Sequence, residues 1–573
     1  MITKNQLTAL MLCVIASTSY AGEKEELLKL RNTTTNLIQQ LVKQGVLTDK
    51  MAQDMIKQAD ADAEMQARQQ AAAAETDKPE SGEVRVPYIP DFVKDDIRQQ
   101  VRAELRQEVV SDVMQKAKSE KWGLPGAWPE WVDRFKLSGD IRLRSQNEFM
   151  GNDNTPNSYF DYQAINERGG FTAAGLDRFL NTTEDRHRFR ERFRLGIDAK
   201  ITDGVKAGIR LATSNLRDPV STNQSLGNTG GQYQFNVDRA YLQYDAVDSE
   251  GFKWLTLDGG RIKNPWFVGG GEFTAGSELV WDTDLSFEGF AATARHRLAG
   301  SGSLDAIKDQ SDTVYATVGA FPLQEFQLSA KDKWLFGGQV GFDWGFENQN
   351  KLKAGVAYYD YVNVEAKPNV PSNRFPQGTC DLNDSVSRDI NASRPEFLQG
   401  GNTIATTCRE SEFSPFPGQV GLASDFNIIN ANISYDIAAF APYHIILGAD
   451  YAKNIGFNQK DVSATRILNG GKPIAEQTDA WQVRVDVGWP KVELGGNWNV
   501  FALYKYVGRD SVLDAFTDSD FRLGGTNSKG WMIGGNYGLA KNIWFTGRWL
   551  SADVITGPPF AIDTLQIDVN TRF

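Results

Sequence analysis

From Phe135 to the end of the chain, apolar and polar side chains alternate with a period of two. In Phe135-Lys136-Leu137-Ser138-Gly139-Asp140-Ile141-Arg142-Leu143-Arg144, odd positions are apolar or small and even positions are polar. Phe189, Phe193, Leu195, Ile197, Ala199 and Ile201 share one parity of the next run; Arg188, Arg190, Arg192, Arg194, Asp198 and Lys200 share the other. Near the end, Leu565, Ile567, Val569 and Phe573 oppose Gln566, Asp568, Asn570 and Arg572. Successive side chains of a strand point to opposite faces. Alternation over ten or more residues therefore predicts strands with one greasy and one wet face, as in strands that cross a membrane. The pattern predicts about sixteen of them, at 135–149, 185–202, 204–215, 232–246, 252–262, 286–298, 312–321, 334–345, 350–364, 424–438, 442–455, 479–489, 494–508, 529–539, 542–553 and 560–573. Short links near Asp203, Ser249, Asn348, Phe440, Pro490 and Ala540 alternate with long ones at 150–184, 216–231, 263–285, 365–423, 456–478 and 509–528. With the N-terminus in the periplasm, the short links fall inside and the long ones outside, the asymmetry of an outer-membrane barrel.

The first 120 residues follow a different rhythm. Leu27, Leu30, Leu37 and Leu41 form a helical stripe, Gly45 stops it, and Thr48 is placed to cap a second helix through Met51 and Met55. A linker follows, and apolar residues at Val93, Ile97, Val101, Leu105, Val109 and Val113 predict a third helix whose stripe winds round its axis. Such a helix suits either a partner in the periplasm or a solvated spacer. The predicted layout is a signal peptide at 1–21, a helical hairpin at 22–75, a linker at 76–90, a coiled-coil-like amphipathic helix at 91–120 and a barrel at 135–573.

The signal reading rests on Lys4, a short apolar core from Leu7 to Ala16, and the small-x-small site Ser19-Tyr20-Ala21. The core is too short to span a bilayer, and no later stretch offers 18 consecutive apolar residues. A membrane protein without such helices must be a closed barrel. Mean hydropathy is −0.42 although aromatics reach 11%, which fits strands that are apolar on one face only. A net charge of −12 argues against a nucleic-acid partner, since phosphate binding needs basic surface. Beyond the signal two cysteines remain, Cys380 and Cys408, both in one polar stretch; an exported protein is expected to join them. Phe573, an aromatic last residue on an alternating strand, resembles the signal read by the barrel-assembly machinery.

Ten short segments follow one another along the chain: Val86-Pro87-Tyr88-Ile89-Pro90, Trp128-Pro129-Glu130-Trp131, Ser138 to Arg144, Asp238-Arg239-Ala240-Tyr241-Leu242, Gly260 to Trp266, Trp281-Asp282-Thr283-Asp284, Glu288-Gly289, Phe516 to Phe521, Gly524-Gly525-Thr526-Asn527 and Lys529-Gly530. Together they resemble the putative porin family of Gram-negative outer membranes. Each is short, and their order along the chain carries the likeness. The resemblance implies an outer-membrane β-barrel and a diffusion channel with no settled substrate; outer-membrane lipid is its expected surrounding, and small hydrophilic solutes are the expected traffic of a charged, wet lumen. By analogy with general porins the resemblance also implies a homotrimer. In those porins the third external loop narrows the channel, which makes Glu272, Glu278, Asp282 and Asp284 candidate constriction residues.

A channel selects by its width and by charges at its narrowest ring. Arg186, Arg188, Arg190, Arg192 and Arg194 share the wet parity, and Arg142 and Arg144 follow the same logic on the neighbouring strand. These seven are candidate pore-lining residues. Opposed to the loop carboxylates they set up a transverse field, and anionic solutes are the expected beneficiaries. The plainer reading is that lumen carboxylates neutralise the arginines, which then only fill the interior. Asp510, Asp514, Asp518 and Asp520 read as a solvated external loop, since their spacing lacks the EF-hand pattern. Tryptophans mostly near strand ends, Trp266 and Trp281 among them, suit interfacial girdles, with core or loop anchors as the alternative for some.

Three other classes compete. An enzyme needs chemistry that this chain does not spell out: His187, His296 and His444 are its only histidines, and no Gly-x-Ser-x-Gly or His-Glu-x-x-His stands near them. His187, beside the arginine row, reads as a lumen residue. No metal or cofactor motif is present, and an energy-coupled receptor would need a globular plug. A structural tether through the N-terminal helices is the remaining alternative.

Overall fold

The computed structural model describes residues 132–573 apart from 215–216, 271–275, 299–311, 328, 347, 368–391, 410–416 and 466–472. The chain divides into two units, Met1–Val110 and Ser111–Phe573, and everything below concerns the second. The expected signal, helical hairpin, linker and third helix lie outside the described residues.

The strands run in order β1 (Phe135–Met150), β2 (Arg186–Thr202), β3 (Val205–Thr213), β4 (Gln224–Ser225), β5 (Phe235–Val247), β6 (Lys253–Lys263), β7 (Ser286–Arg297), β8 (Thr313–Gln324), β9 (Lys333–Gly345) and β10 (Lys351–Val362). They continue with β11 (Ile404–Arg409), β12 (Pro417–Leu422), β13 (Phe426–Phe440), β14 (Tyr443–Asn454), β15 (Asp479–Gly488), β16 (Trp498–Val507), β17 (Ser528–Ala540), β18 (Ile543–Val554) and β19 (Ala561–Arg572). Leaving out the tiny β4 and the separate hairpin β11–β12, sixteen antiparallel strands remain, one for each strand that the alternation predicts. β1 pairs with both β2 and β19, so the sheet closes into a barrel with no free edge. Closure matters because hydrocarbon offers no partner to an unpaired backbone group. Phe573 finishes the seam. It exchanges two backbone hydrogen bonds with Gly139, each 3.0 Å, and its ring occupies the space that a side chain at position 139 would need.

The two faces are inverted relative to a soluble protein. On β13, Ile429 and Ile433 are 39% and 44% exposed, whereas Asn430 and Asn432 are 2% and 4%. Phe290, Val318, Val340 and Ile533 continue the exposed apolar belt on other strands. A belt of that extent belongs in hydrocarbon, with the polar parity inside.

The links alternate in length as read, with one departure. The link 298–312, between β7 and β8 on the N-terminal rim, is longer than the external link 325–332 that follows β8. In the first external link, α1 (Tyr162–Arg168) starts on Asp161, whose side chain accepts from the Ala164 backbone N–H at 2.9 Å, and ends on Gly169 at φ 86°. Asn166 of α1 makes two 2.9 Å bonds to the Val420 backbone and so clasps β12. A short α2 (Gln459–Thr465) lies in a later external link.

The main apolar core sits inside the barrel, against inward-folded loops. Trp266 lies across Gly319 and Gly337, where the absence of side chains leaves room for the indole. Trp281 packs on Phe287, Tyr359, Tyr361 and Phe516 with ring centroids 4.9 to 6.4 Å apart. Neither tryptophan belongs to an interfacial girdle; both are core and loop anchors, the alternative that the sequence left for some of them. Loop backbone must find a surface to bury against, and bulky rings do that where the wall is bare.

Candidate functional site: loops closed on an arginine wall

The register sets the site. Asp140 stands opposite Arg194, Arg142 opposite Arg192, Arg144 opposite Arg190, Gln146 opposite Arg188 and Glu148 opposite Arg186. At ~3.3 Å per residue the row from Arg186 to Arg194 is about 26 Å long. Two rungs put arginine directly against arginine, which is destabilising unless anions lie close by. Two anions come from the wall. Asp568 of β19 holds Arg144 in a fork of 2.8 and 3.0 Å, and Asp140 lies 2.9 Å from Arg192 and 2.7 Å from Arg194. Two more come from loops. Asp284 reaches Arg194 at 3.2 Å and Arg192 at 3.6 Å, and Asp520 reaches Arg144 at 3.1 Å and Arg548 at 3.7 Å. Burial alone would raise both loop carboxyls. For Asp284 the guanidiniums of Arg192, Arg194 and Arg142 outweigh it, and for Asp520 those of Arg144, Arg548, Arg190 and Arg142 do. Both carboxyls are therefore held far below the ordinary range. Glu148 pairs with Arg188.

The seven arginines and four carboxylates singled out in the sequence are thus sorted by position. Arg142 donates to Asn223, and Arg190 to Gln146 and Ser221, at 3.2 Å in both latter cases. Neither meets a carboxylate among the described residues. Arg186 is exposed at the outer end of β2. Of the described acids in the link 264–285, only Asp284 joins the wall. Glu278 and Asp282 face the segment 514–520 instead: Asp518 N–H donates to the Glu278 carbonyl at 3.2 Å and Ser519 N–H to the Asp282 carboxylate at 3.0 Å. Glu272 and Cys380 lie outside the described residues; Cys408 is buried on β11. His187 stands on the exposed parity with Phe189, its Nδ1 2.9 Å from Asn147 Oδ1, and so is not a lumen residue.

The acidic run is the largest departure from the sequence reading. Asp510, Asp514 and Asp518 are buried, and Asp520 is an anchor of the wall. Asp510 accepts from Thr403 N–H and Oγ1–H at 2.8 and 2.6 Å, and Asp518 pairs with buried Lys505. The run reads as solvated because charge normally stays in water. Here backbone N–H groups, a lysine and arginines replace that water. Asp520, Asp568, Asp140 and Arg548 were missed as site residues. The arginine-against-arginine rungs were the available signal, since such rungs require counter-charge.

Asp514 carries a pH dependence. Its Oδ2 accepts from Gly400 N–H at 2.6 Å, while its buried Oδ1 makes no hydrogen bond of ordinary geometry among the described residues. Burial, with help from Asp510, pushes its pKa up to about 7. Glu278, raised to about 6 by burial and by Asp518, acts in the same direction. Between the ordinary carboxyl value and about 7 the docked loop holds a proton that a free loop would release. Docking is therefore strongest at low pH and weakens as pH rises through that window. Bilayer recordings should show lower mean conductance at pH 5 than at pH 8, and Asp514→Asn should shrink that difference. Equal conductance at both values in the wild type would refute the linkage.

Beyond the cluster, a cavity of about 930 Å³ opens between the inward loops and the wall from β5 to β9; Asp218, Asp238, Arg261, Glu288, Lys333 and Phe516 line it. Ser221 and Thr222 also line it, so the segment 220–223 stands between this vestibule and the arginine wall.

A closed barrel, apolar outside and charged within, with loops folded into its lumen, defines an outer-membrane channel protein. The chain belongs to the Putative porin family, whose profile matches residues 31–573. Among solved structures, a high-pH form of OprB from Pseudomonas putida is similar at 11% identity and TM-score 0.42, covering 79% of this chain and 97% of that one. The outer membrane channel DcaP of Acinetobacter baumannii is similar at 11% identity and TM-score 0.38, covering 77% and 97%. OmpF of Salmonella typhi, in complex with daunomycin, gives 11% identity, TM-score 0.35 and coverage of 77% and 97%. No curated protein matches. Family and barrel place the chain in the outer membrane and indicate a channel rather than an enzyme.

Proposed function

We propose that the chain is a passive diffusion channel for small hydrophilic solutes that favours anions. One observation carries this reading. Where three loops meet the wall, six guanidinium groups (Arg142, Arg144, Arg190, Arg192, Arg194 and Arg548) face four carboxylates (Asp140, Asp284, Asp520 and Asp568). The excess falls on Arg142 and Arg190, which are only partly buried. Low-dielectric walls focus such a field into the water that remains and concentrate counter-ions there. A full unit charge about 8 Å from a permeating ion is worth ~2 kcal/mol at an effective dielectric near 20, and salt screening reduces that.

The double substitution Arg142→Gln/Arg190→Gln should lower the chloride-to-potassium permeability ratio in planar bilayers at least about fivefold. It removes charge and retains hydrogen-bonding side chains. A reversal potential equal to that of the wild type would reject the anion preference.

A further inference from the structure

We infer that Ser221 and Asn223 are place-holders in an oxyanion-binding site built by Arg142 and Arg190, and that a permeating carboxylate or phosphate group takes their place. The inference rests on the anion-favouring channel proposed above and names where the anion binds.

Arg142 and Arg190 sit one rung apart on neighbouring strands, since Arg142 pairs with Arg192 and Arg144 with Arg190. Their donors converge on one loop segment. Arg142 Nη2 donates to Asn223 Oδ1, and Arg190 Nη2 donates to Ser221 Oγ at 3.2 Å. Asn223 Nδ2 in turn donates to Ser221 Oγ at 3.1 Å, which ties the two side chains into a neutral bridge. The Nε groups of both arginines are buried and have no hydrogen-bond partner among the described residues. Among the described residues the two guanidiniums hydrogen-bond only to a hydroxyl and two amides, and the nearby carboxylates act on them without direct contact, so both are under-neutralised. A charge-assisted, bidentate oxyanion is the better partner for both.

The rest of the segment is built so that the exchange needs little movement. Thr222, between the two place-holders, is fixed through its N–H and hydroxyl to Asp284 at 3.3 and 3.0 Å, and Val220 C=O accepts from Ser519 Oγ at 3.1 Å. The backbone therefore stays pinned while two side chains turn. Ser221 also lines the 930 Å³ vestibule, so an arriving solute meets it before it meets Arg190. The neighbouring arginines offer no comparable site. Arg144, Arg192 and Arg194 already hold carboxylates, and an incoming anion would have to displace a charged group.

The test measures block of chloride current by sodium succinate and, separately, by sodium phosphate in planar bilayers. Ser221→Ala/Asn223→Ala removes the internal competitors and should lower the half-blocking concentration about tenfold, since a hydrogen bond to a charged group is worth roughly that factor. Asn223→Asp places a permanent carboxylate against Arg142 and should abolish block and reduce anion preference. Tighter block by succinate alone assigns the site to carboxylates, and by phosphate alone to phosphates. Opposite signs from two variants that both alter position 223 with small side chains cannot come from misfolding. Unchanged block in both variants, or the same change in both, overturns the place-holder inference. If that happens while the wild type still prefers anions, the channel reading stands; a wild type without anion preference sinks both.

Discussion

Asp520→Ala should open the channel and destabilise the barrel at once. Asp520 comes from the segment between β16 and β17 and reaches Arg144, whose side chain is fully buried, and Arg548. Asp568 alone cannot balance both cations, although it touches both. Removing one partner from a buried ionic cluster typically costs about 3–5 kcal/mol, because the remaining charge stays desolvated. The segment also loses its only ionic tie to this wall among the described residues. The expected result is a lower urea midpoint in detergent, higher single-channel conductance and a stronger anion preference. Asp520→Asn should reproduce the selectivity change, because it removes the same charge and keeps the volume. Unaltered selectivity in both variants would show that the cluster lies off the conduction path.

Trp281→Ala should produce the same opening by a different route. The indole is 1% exposed and joins the link 264–285 to the wall at Phe287, Tyr359 and Tyr361 and to the neighbouring loop at Phe516. Truncating a buried tryptophan costs about 3–5 kcal/mol, and here one side chain holds two loops. Conductance should rise several-fold with more frequent fluctuation, because neither loop keeps its apolar anchor. No charge is lost, so the permeability ratio should move far less than in Asp520→Ala. A large selectivity change with unchanged conductance would contradict the assigned role. Trp281→Phe, which keeps an aromatic ring in place, should recover most of the wild-type behaviour.

Each side of this contrast was visible to a different degree beforehand. The strands of the wall and their two faces were legible, although the roles of Asp140, Arg548 and Asp568 were not. Alternation is a local property, and a strand whose partners are its chain neighbours leaves little for distant contacts to decide. For the same reason the parity of Arg142, Arg144 and the row from Arg186 to Arg194 could be read directly. Loops obey no period. That Asp284 would join the wall while Asp282, two residues earlier, would face Phe516 and Ser519 depends on how the link folds back. The composition of the acidic run likewise favours water, and only the lysine, arginines and backbone N–H groups brought to it make burial tolerable.

The amino-acid order by itself determined sixteen crossings, the two faces of each and the inner row of arginines, because a two-residue period survives translation into any twisted sheet. The tertiary structure alone decided which loops enter the lumen, which four carboxylates answer the arginines, and that Arg142 and Arg190 are left to neutral partners. Those outcomes follow from contacts between residues up to several hundred positions apart, such as Arg144 with Asp520 and Asp568, and no local pattern encodes a meeting at that range.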